Sequence, residues 1–384
     1  MQPSDFTQDK YGRLLEGPHG YWAYVPSPLP PAIDITIDVV SELSDADRAL
    51  SELVGIARTL PNPHLLIGPF VRREAVLSSR IEGTQASFSD LLFFESANLK
   101  EKEIPDVREV SNYVKALEYG LNRLRDLPLS LRLIREIHGI LLERVRGQRQ
   151  APGEFRRSQN WIGPPGCTLM DATYVPPPTD EMRKALDRFE KYLHAKSDLP
   201  PLIRLSLIHY QFEAIHPFLD GNGRVGRLLV TLLLCSEGLL SEPLLYLSAF
   251  FERYRDEYYR RLLEVSQHGK WKDWIIYFLR GITSQSRDAI RRSDRLLALW
   301  QKYRAYLQEA RASALLLQLV DELFSYPAIT NRSAAQKLSV TPRSAQLNIE
   351  KLQHVNILRE ATGKLRNRVY VADEIISIIE QGEA

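Results

Sequence analysis

The sequence predicts a mainly α protein: a helical bundle carrying one β-hairpin, followed by a carboxy-terminal winged helix-turn-helix. Three observations lead there. From Ser44 onward apolar residues recur at helical spacing along most of the chain. That rhythm breaks at 151–178, where Pro152, Gly153, Gly163 to Gly166 and Pro176 to Pro178 bracket short strand-like segments. Finally, residues 312–375 read as three short helices and a two-stranded hairpin. At 384 residues with 44% apolar content, the chain can hold two to three domains, and a mostly disordered protein is excluded. The expected divisions are 1–105, an amino-terminal arm and helical region; 106–305, the helical body; and 306–384, the carboxy-terminal module.

Taken in order, the first forty residues read as an irregular extended arm, because Pro26, Pro28, Pro30 and Pro31 follow the aromatics Tyr21, Trp22 and Tyr24. Ser44 is placed as the cap of a helix that carries Ala46, Leu50, Leu53, Ala57 and Leu60 on one face. A second helix is expected to begin at Pro69 and to stop at Gly83. Further helices are expected at about 87–97, 106–124, 129–146, 180–195, 202–215, 224–237, 246–267 and 270–305. Between them, Gln159 to Ile162 and Thr173 to Val175 suggest a hairpin or long loop that projects from the helical body. In the terminal module, Leu315 to Leu323 and Ser333 to Leu338 give two helices. Thr341-Pro342 caps a third, and Ile357 to Arg359 and Arg368 to Val371 flank a turn at 362–364.

Composition narrows the function. Fifty Lys and Arg against 48 Asp and Glu leave a net charge of +2, too small for a chain coated by nucleic acid, so any basic surface is local. Cys167 and Cys235 are too few for a disulfide framework or a thiolate zinc cluster. The start of the chain lacks a basic, apolar leader, and the apolar run Leu228 to Cys235 is far shorter than a bilayer span. The expected location is cytoplasmic.

The chemistry lies in His216-Pro217-Phe218-Leu219-Asp220-Gly221-Asn222-Gly223-Arg224-Val225-Gly226-Arg227. Upstream, Leu205, Ile208 and Phe212 form a helical stripe that Pro217 should end at His216, presenting the imidazole. Downstream, Leu228, Leu229, Leu232 and Leu233 drive a buried helix. Gly221 to Gly223 then lie at a helix amino terminus, where unpaired N–H groups favour an anion such as phosphate. Arg224 and Arg227 share a face and can fork onto phosphate oxygens. Asp220 suits Mg²⁺, and His216 can take a proton from an attacking hydroxyl. Gly221, Gly223 and Gly226 spell G-x-G-x-x-G, but no strand precedes them, so a dinucleotide fold is rejected. The set favours phosphoryl or nucleotidyl transfer. His138 and His209 are read as packing histidines, and Cys235 as a buried hydrophobe.

His-x-Phe-x-Asp-Gly-Asn-Gly-Arg-x-x-Arg resembles the signature of the Fic-domain family at every defined position. The resemblance implies a Fic-type helical bundle that moves AMP from ATP to a hydroxyl side chain (Tyr, Thr or Ser) of a target protein, with Mg²⁺ as cofactor. His216 would be the base and Asp220 the metal ligand. Gly221, Asn222, Gly223, Arg224, Gly226 and Arg227 would bind the nucleotide, and Phe218 would anchor the loop. The hairpin around Ile162 and Gly163 resembles the family's flap, which aligns the target chain, and Gln267 falls where the family places a polar nucleotide contact. Ser78-Ser79-Arg80-Ile81-Glu82-Gly83 resembles the family's inhibitory pattern. There Ser78, Glu82 and Gly83 would end a helix, and Glu82 would compete with the γ-phosphate for Arg227.

Between Thr330 and Ala372 eight Lys and Arg face only Glu350 and Glu360. Arg343, Gln346, Lys364 and Arg366 would suit duplex DNA, and docking of a protein is an equal alternative. Two functional classes stand: a protein adenylyltransferase, and a DNA-binding regulator whose helical body senses nucleotide. UTP or another phosphate-containing donor, self-modification and a homodimer stay open.

Overall fold

A computed structural model describes residues 1–7, 10–59, 64–97, 105–363 and 367–381. Among them, strands β1 (Gly12–Glu16) and β2 (Trp22–Pro26) precede helices α1 (Ile37–Thr59), α2 (His64–Ile81), α3 (Phe88–Ala97), α4 (Pro105–Arg123) and α5 (Leu131–Leu141). After a long loop come α6 (Thr179–His194), α7 (Pro201–Ile215), α8 (Asn222–Ser236), α9 (Ser248–Arg253), α10 (Arg255–His268) and α11 (Trp271–Glu309). The chain then forms α12 (Ala314–Ser325), β3 (Ala328–Thr330), α13 (Asn331–Lys337), α14 (Pro342–His354), β4 (Arg359–Glu360), β5 (Val369–Val371) and α15 (Asp373–Glu380). The structure is mainly helical, as the sequence predicts.

Two compact units divide the chain. The first comprises 1–51, 115–240 and 247–285; the second comprises 52–114, 241–246 and 286–384.

In the first unit α7 is the central helix. It is buried on every side from Leu202 to Phe212, which is why its apolar residues exceed the single stripe read from the sequence. Helices α6, α8 and α10 and strand β2 pack on it. Trp274 ties α11 to it by donating Nε1–H to the Ser206 carbonyl at 2.9 Å. His209 sits among Phe251, Tyr258, Trp274 and Phe278. Its Nδ1–H donates to the Gly226 carbonyl at 3.1 Å and its Nε2 accepts from Tyr258 Oη at 2.8 Å. Burial lowers its pKa to about 3, so it is neutral.

Three expectations are corrected here. The amino-terminal arm is an antiparallel hairpin with Leu14 opposite Tyr24. Its aromatic and β-branched residues bury Ala23, Tyr24 and Val25, and the prolines only end the second strand. Helix α1 begins at Ile37, not at Ser44, because its apolar stripe extends back to buried Val39; Leu60 lies outside the described residues. The expected helix at 246–267 is broken at Tyr254, which leaves helical geometry (φ −114°, ψ 42°) where its ring packs 5.0 Å from Phe250.

In the second unit β3, β5 and β4 form an antiparallel sheet in that order, pairing Ala328 and Arg359 with Val371 from opposite sides. The expected hairpin is present, with β3 and α15 added to it. Thr330 and Ser333 make a reciprocal capping box on α13, and the Thr341 hydroxyl caps α14 ahead of Pro342. Helix α2 packs on α12 and α15, and α3 packs on β3 and β5. Arg72 pairs with Glu95 at 2.7 Å and lies 4.8 Å from the centre of the Tyr326 ring, whose hydroxyl donates to the Leu92 carbonyl at 3.0 Å. Helix α2 starts at His64 and holds Pro69 inside it, instead of starting there. The ring forfeits one hydrogen bond near the helix start, while the extra turn buries Leu66.

Candidate active site

Helix α7 ends as Pro217 requires, and His216 takes up a left-handed conformation (φ 48°, ψ 62°). This is uncommon for a residue other than glycine and costs about 1–2 kcal/mol. The end of the helix is satisfied largely by side chains. The His216 amide donates to Phe212 O at 3.0 Å, as in an αL cap. Pro217 has no N–H with which to close the next carbonyl, and the His216 ring acts instead: Nδ1–H donates to Glu213 O at 3.3 Å. Tyr174 Oη donates to Ala214 O at 2.8 Å. With the proton on Nδ1, neutral His216 carries its basic lone pair on Nε2.

The loop is fastened at almost every carbonyl. Arg156 Nε and Asn160 Nδ2 donate to His216 O at 3.1 and 3.2 Å. The Arg156 amide donates to Pro217 O at 2.9 Å. Asn160 Nδ2 also reaches Phe218 O at 2.7 Å. Asn222 spans Phe218, accepting from its N–H at 2.8 Å and donating to its carbonyl at 2.9 Å. Phe218 is fully buried and stacks 3.7 Å from the His138 ring. His138 Nδ1 accepts from the Gly153 amide at 2.9 Å, which leaves Nε2–H to donate to Asp220 O at 3.0 Å. Burial lowers the His138 pKa to about 4 and keeps the ring neutral.

Gly221, left-handed at φ 79°, starts α8. The first amides of that helix have no partner within it, so Asn222 and Gly223 offer N–H groups to an anion, while the Asn222 side chain is committed to Phe218. Arg224 and Arg227 follow, both buried. Arg224 Nη2 lies 3.5 Å from Asp220 Oδ1. Gly226 faces α7 closely: a Cβ there would stand 2.1 Å from Glu213 Oε1. Asp220, its side chain one-third exposed, lies against Gly147, where a Cβ would stand 2.4 Å from Oδ2. Among the described residues no cluster of three or more His, Cys, Asp or Glu could hold a metal by itself. A single accessible carboxylate fits Mg²⁺, which keeps several waters and is held mainly by phosphates and one or two carboxylates.

The hairpin forms through Ile162 and Tyr174, which exchange main-chain hydrogen bonds of 2.8 and 3.0 Å. Gly163 follows and faces the other arm, where a Cβ would stand 3.3 Å from Thr173 N. Trp161, 42% exposed, donates its ring N–H to Cys167 O at 3.1 Å. Gln267 lies near the end of α10 and accepts the Thr7 amide on its carbonyl at 2.8 Å. Ser78, Glu82 and Gly83 belong to the second unit. Ser78 is buried in the last turn of α2, Glu82 is the first residue past it, and Gly83 is left-handed at φ 91°.

Residues 128–234, which hold the loop, match the Fic/DOC family, and residues 40–122 match the Fic/DOC family N-terminal region. The chain thus carries a Fic/DOC N-terminal region and a Fic domain. Curated proteins named "Protein adenylyltransferase Fic" are similar to it. That of Drosophila virilis is 34% identical over 140 residues, 36% of this chain and 27% of the relative, and that of Drosophila grimshawi is 33% identical over the same length. The chain thus spans about a quarter of the length of these relatives. Among solved structures, a Fic family protein from Desulfovibrio desulfuricans G20 superposes with a TM-score of 0.57 at 17% identity, covering 89% of this chain and 98% of that one. Fic-1 (residues 134–508) from C. elegans gives 0.51 at 21% identity, over 66% of this chain and 72% of that one. These likenesses bear out the mainly helical, Fic-type fold. No helix among the described residues is long and apolar enough to cross a membrane.

Sequence reasoning missed Arg156, Asn160, Tyr174 and Gly147, and gave His138 a packing role only. A signal existed for the first two. Pro217 and Pro176 to Pro178 contribute carbonyls without N–H groups, so buried side-chain donors must supply the difference.

Proposed function

We propose that this Fic-domain chain is a protein adenylyltransferase. A hydroxyl of the target attacks the α-phosphorus of ATP, an O–P bond forms, the bond to pyrophosphate breaks, and His216 Nε2 takes the hydroxyl proton. The observation that carries this reading is the 3.3 Å contact of His216 Nδ1 with Glu213 O: a carbonyl can only accept, so the proton sits on Nδ1 and the basic lone pair on Nε2, six residues before α8 begins. The amides of Asn222 and Gly223, with Arg224 and Arg227, would receive the phosphates. Gly226 would serve by letting α7 approach, and Asp220 would hold Mg²⁺, which when bound neutralises phosphate charge. Ile162 and Gly163 would pair with the target main chain. Gln267 is retained as a polar contact to the nucleotide.

Glu82 is the proposed brake, its carboxylate competing with phosphate for Arg227. The run Ser78-Ser79-Arg80-Ile81-Glu82-Gly83, which matches the family's inhibitory pattern, supports this. Transfer from α-labelled ATP with Mg²⁺ tests both ideas on the wild type, Glu82→Gly and Glu82→Gly/His216→Ala. Label is expected mainly in the second sample, rising about ten- to a hundred-fold over wild type. Absence of label in all three folded proteins, with UTP as well as ATP, overturns the reading.

A second reading concerns the carboxy-terminal module, where the order of short helices and strands supports a winged helix-turn-helix. An open cleft of about 1460 Å³, lined in part by Arg332, Gln336, Pro342, Gln346 and Arg368, runs along α13 and α14. Arg343 is exposed on α14, and Lys364 and Arg366 lie outside the described residues. Duplex DNA is its proposed ligand. Binding that weakens steeply with salt supports it, and no binding at low salt rejects it.

A further inference from the structure

We infer that Arg156, Asn160 and Tyr174 are positioning residues that lock the flap and the base-bearing loop into one hydrogen-bonded body. The target's alignment and the placement of His216 then cannot shift independently. The inference rests on the reading of His216 as the base and of the Ile162 strand as the target's pairing edge.

The geometry is specific. All three side chains come from the flap or its root, and all three end on main-chain carbonyls around His216. Tyr174 is the residue paired with Ile162, and its hydroxyl reaches Ala214 O at 2.8 Å. Asn160, two residues before Ile162, bridges His216 O and Phe218 O with one amide nitrogen. Arg156, only 1% exposed, divides its donors three ways. Nε goes to His216 O at 3.1 Å, Nη1 to Ser158 O on the first arm at 3.2 Å, and Nη2 to Pro177 O beyond the second arm at 2.5 Å. Such a guanidinium joins both flap arms to the loop. A lysine could not replace it, having neither the reach nor the fixed fork.

The need for the lock follows from the backbone. His216 is held left-handed without being glycine, and such a conformation persists only where its surroundings over-determine it. Two donors on its own carbonyl supply that constraint. Release of either link should let the residue relax and carry the imidazole away from its position. A displacement of about 1 Å costs on the order of a hundredfold in rate.

The test uses the full chain labelled with ¹⁵N-histidine, with His216 signals identified by their loss in His216→Ala. Wild type should show the Nδ1–H tautomer. Tyr174→Phe, which removes one oxygen and keeps the ring, and Asn160→Ala should each move the His216 ring signals toward a tautomer mixture. In the Glu82→Gly background both should lower kcat for transfer from α-labelled ATP, about tenfold for Tyr174→Phe and more for Asn160→Ala, with ATP affinity within about twofold. Unchanged His216 signals in both folded variants overturn the inference, whatever happens to transfer. If the parent shows no transfer, the adenylyltransferase reading fails and the ring signals alone decide whether the lock exists.

Discussion

Helices α7 and α2 both end in a left-handed residue, and they reach it by opposite means. At α2 the residue is Gly83, and main-chain bonds close the end. The Thr84 amide donates to Ser79 O at 3.2 Å and the Gly83 amide to Arg80 O at 2.9 Å, the two bonds of a Schellman motif with Glu82 as its cap. At α7 the residue is His216, the next is a proline that cannot donate, and the side chains of His216, Tyr174, Arg156 and Asn160 do the work instead. The first end is built cheaply by local sequence. The second holds a strained residue where glycine would fit more easily, which is what a position selected for its imidazole looks like.

The sharpest way to break this comparison is His216→Gly. Transfer should fall about 10²- to 10⁴-fold through loss of the base. The unfolding free energy should stay within about 1 kcal/mol of wild type, since relief of the left-handed strain offsets the lost ring hydrogen bond and the entropy of glycine. Urea unfolding beside the labelled-ATP assay measures both. A loss well above that range would mean that His216 is a structural residue before it is a catalytic one.

The same contrast explains what could be read from the sequence. His216, Asp220, Gly221 to Arg224 and Arg227 lie within twelve residues across a single helix–loop–helix, so local rules about proline, glycine and helix ends place them. The clasp is not local. His138 and Asp220 are 82 positions apart, and Asn160 and Phe218 are 58 apart, and no periodicity links such pairs. The amino-terminal hairpin was hidden for another reason. Its prolines suggest an arm, whereas the residues before them have strand propensity, and pairing decides the outcome. In the carboxy-terminal module the caps Thr341-Pro342 and the apolar faces are local, so its helices were legible. The three-residue β3 was too short to show a period.

Acid provides a smaller perturbation, aimed at the core beneath the loop. His209 is neutral when folded, with its pKa lowered to about 3 by burial, against about 6.5 in an unfolded chain. Above pH 6.5 neither state is protonated and its full contribution is present. As pH falls below 6.5 the unfolded chain takes up the proton first, and stability is lost progressively down to about pH 3. That one residue contributes a slope of about 1.4 kcal/mol per pH unit. Between pH 6.5 and 5, His209→Gln should show a shallower dependence by about this amount, measured as urea midpoints across the range. An unchanged slope would mean that His209 is not held neutral.

Gly147→Ala addresses Asp220, the proposed Mg²⁺ ligand. A methyl there would stand 2.4 Å from Asp220 Oδ2 at a backbone φ of 84°, so the carboxylate must move. About tenfold more Mg²⁺ should be needed for half-maximal transfer in the Glu82→Gly background, with the His216 ring signals retained. An unaltered Mg²⁺ requirement would remove Asp220 from its proposed role.

Gly83→Ala is the smallest change and the converse of the first. A side chain at φ 91° should cost about 1 kcal/mol, because the Gly83 carbonyl accepts from the exposed Gln85 side chain at 3.3 Å, whereas two buried side chains hold that of His216. No atom lies within 4 Å of the added Cβ, so the cost is conformational and not steric. Loosening this cap frees Glu82, the residue just before it. If Glu82 is the brake, transfer by Gly83→Ala should rise by a few-fold while stability falls. A variant that is less stable and no more active would show that the cap shapes the fold without governing the carboxylate.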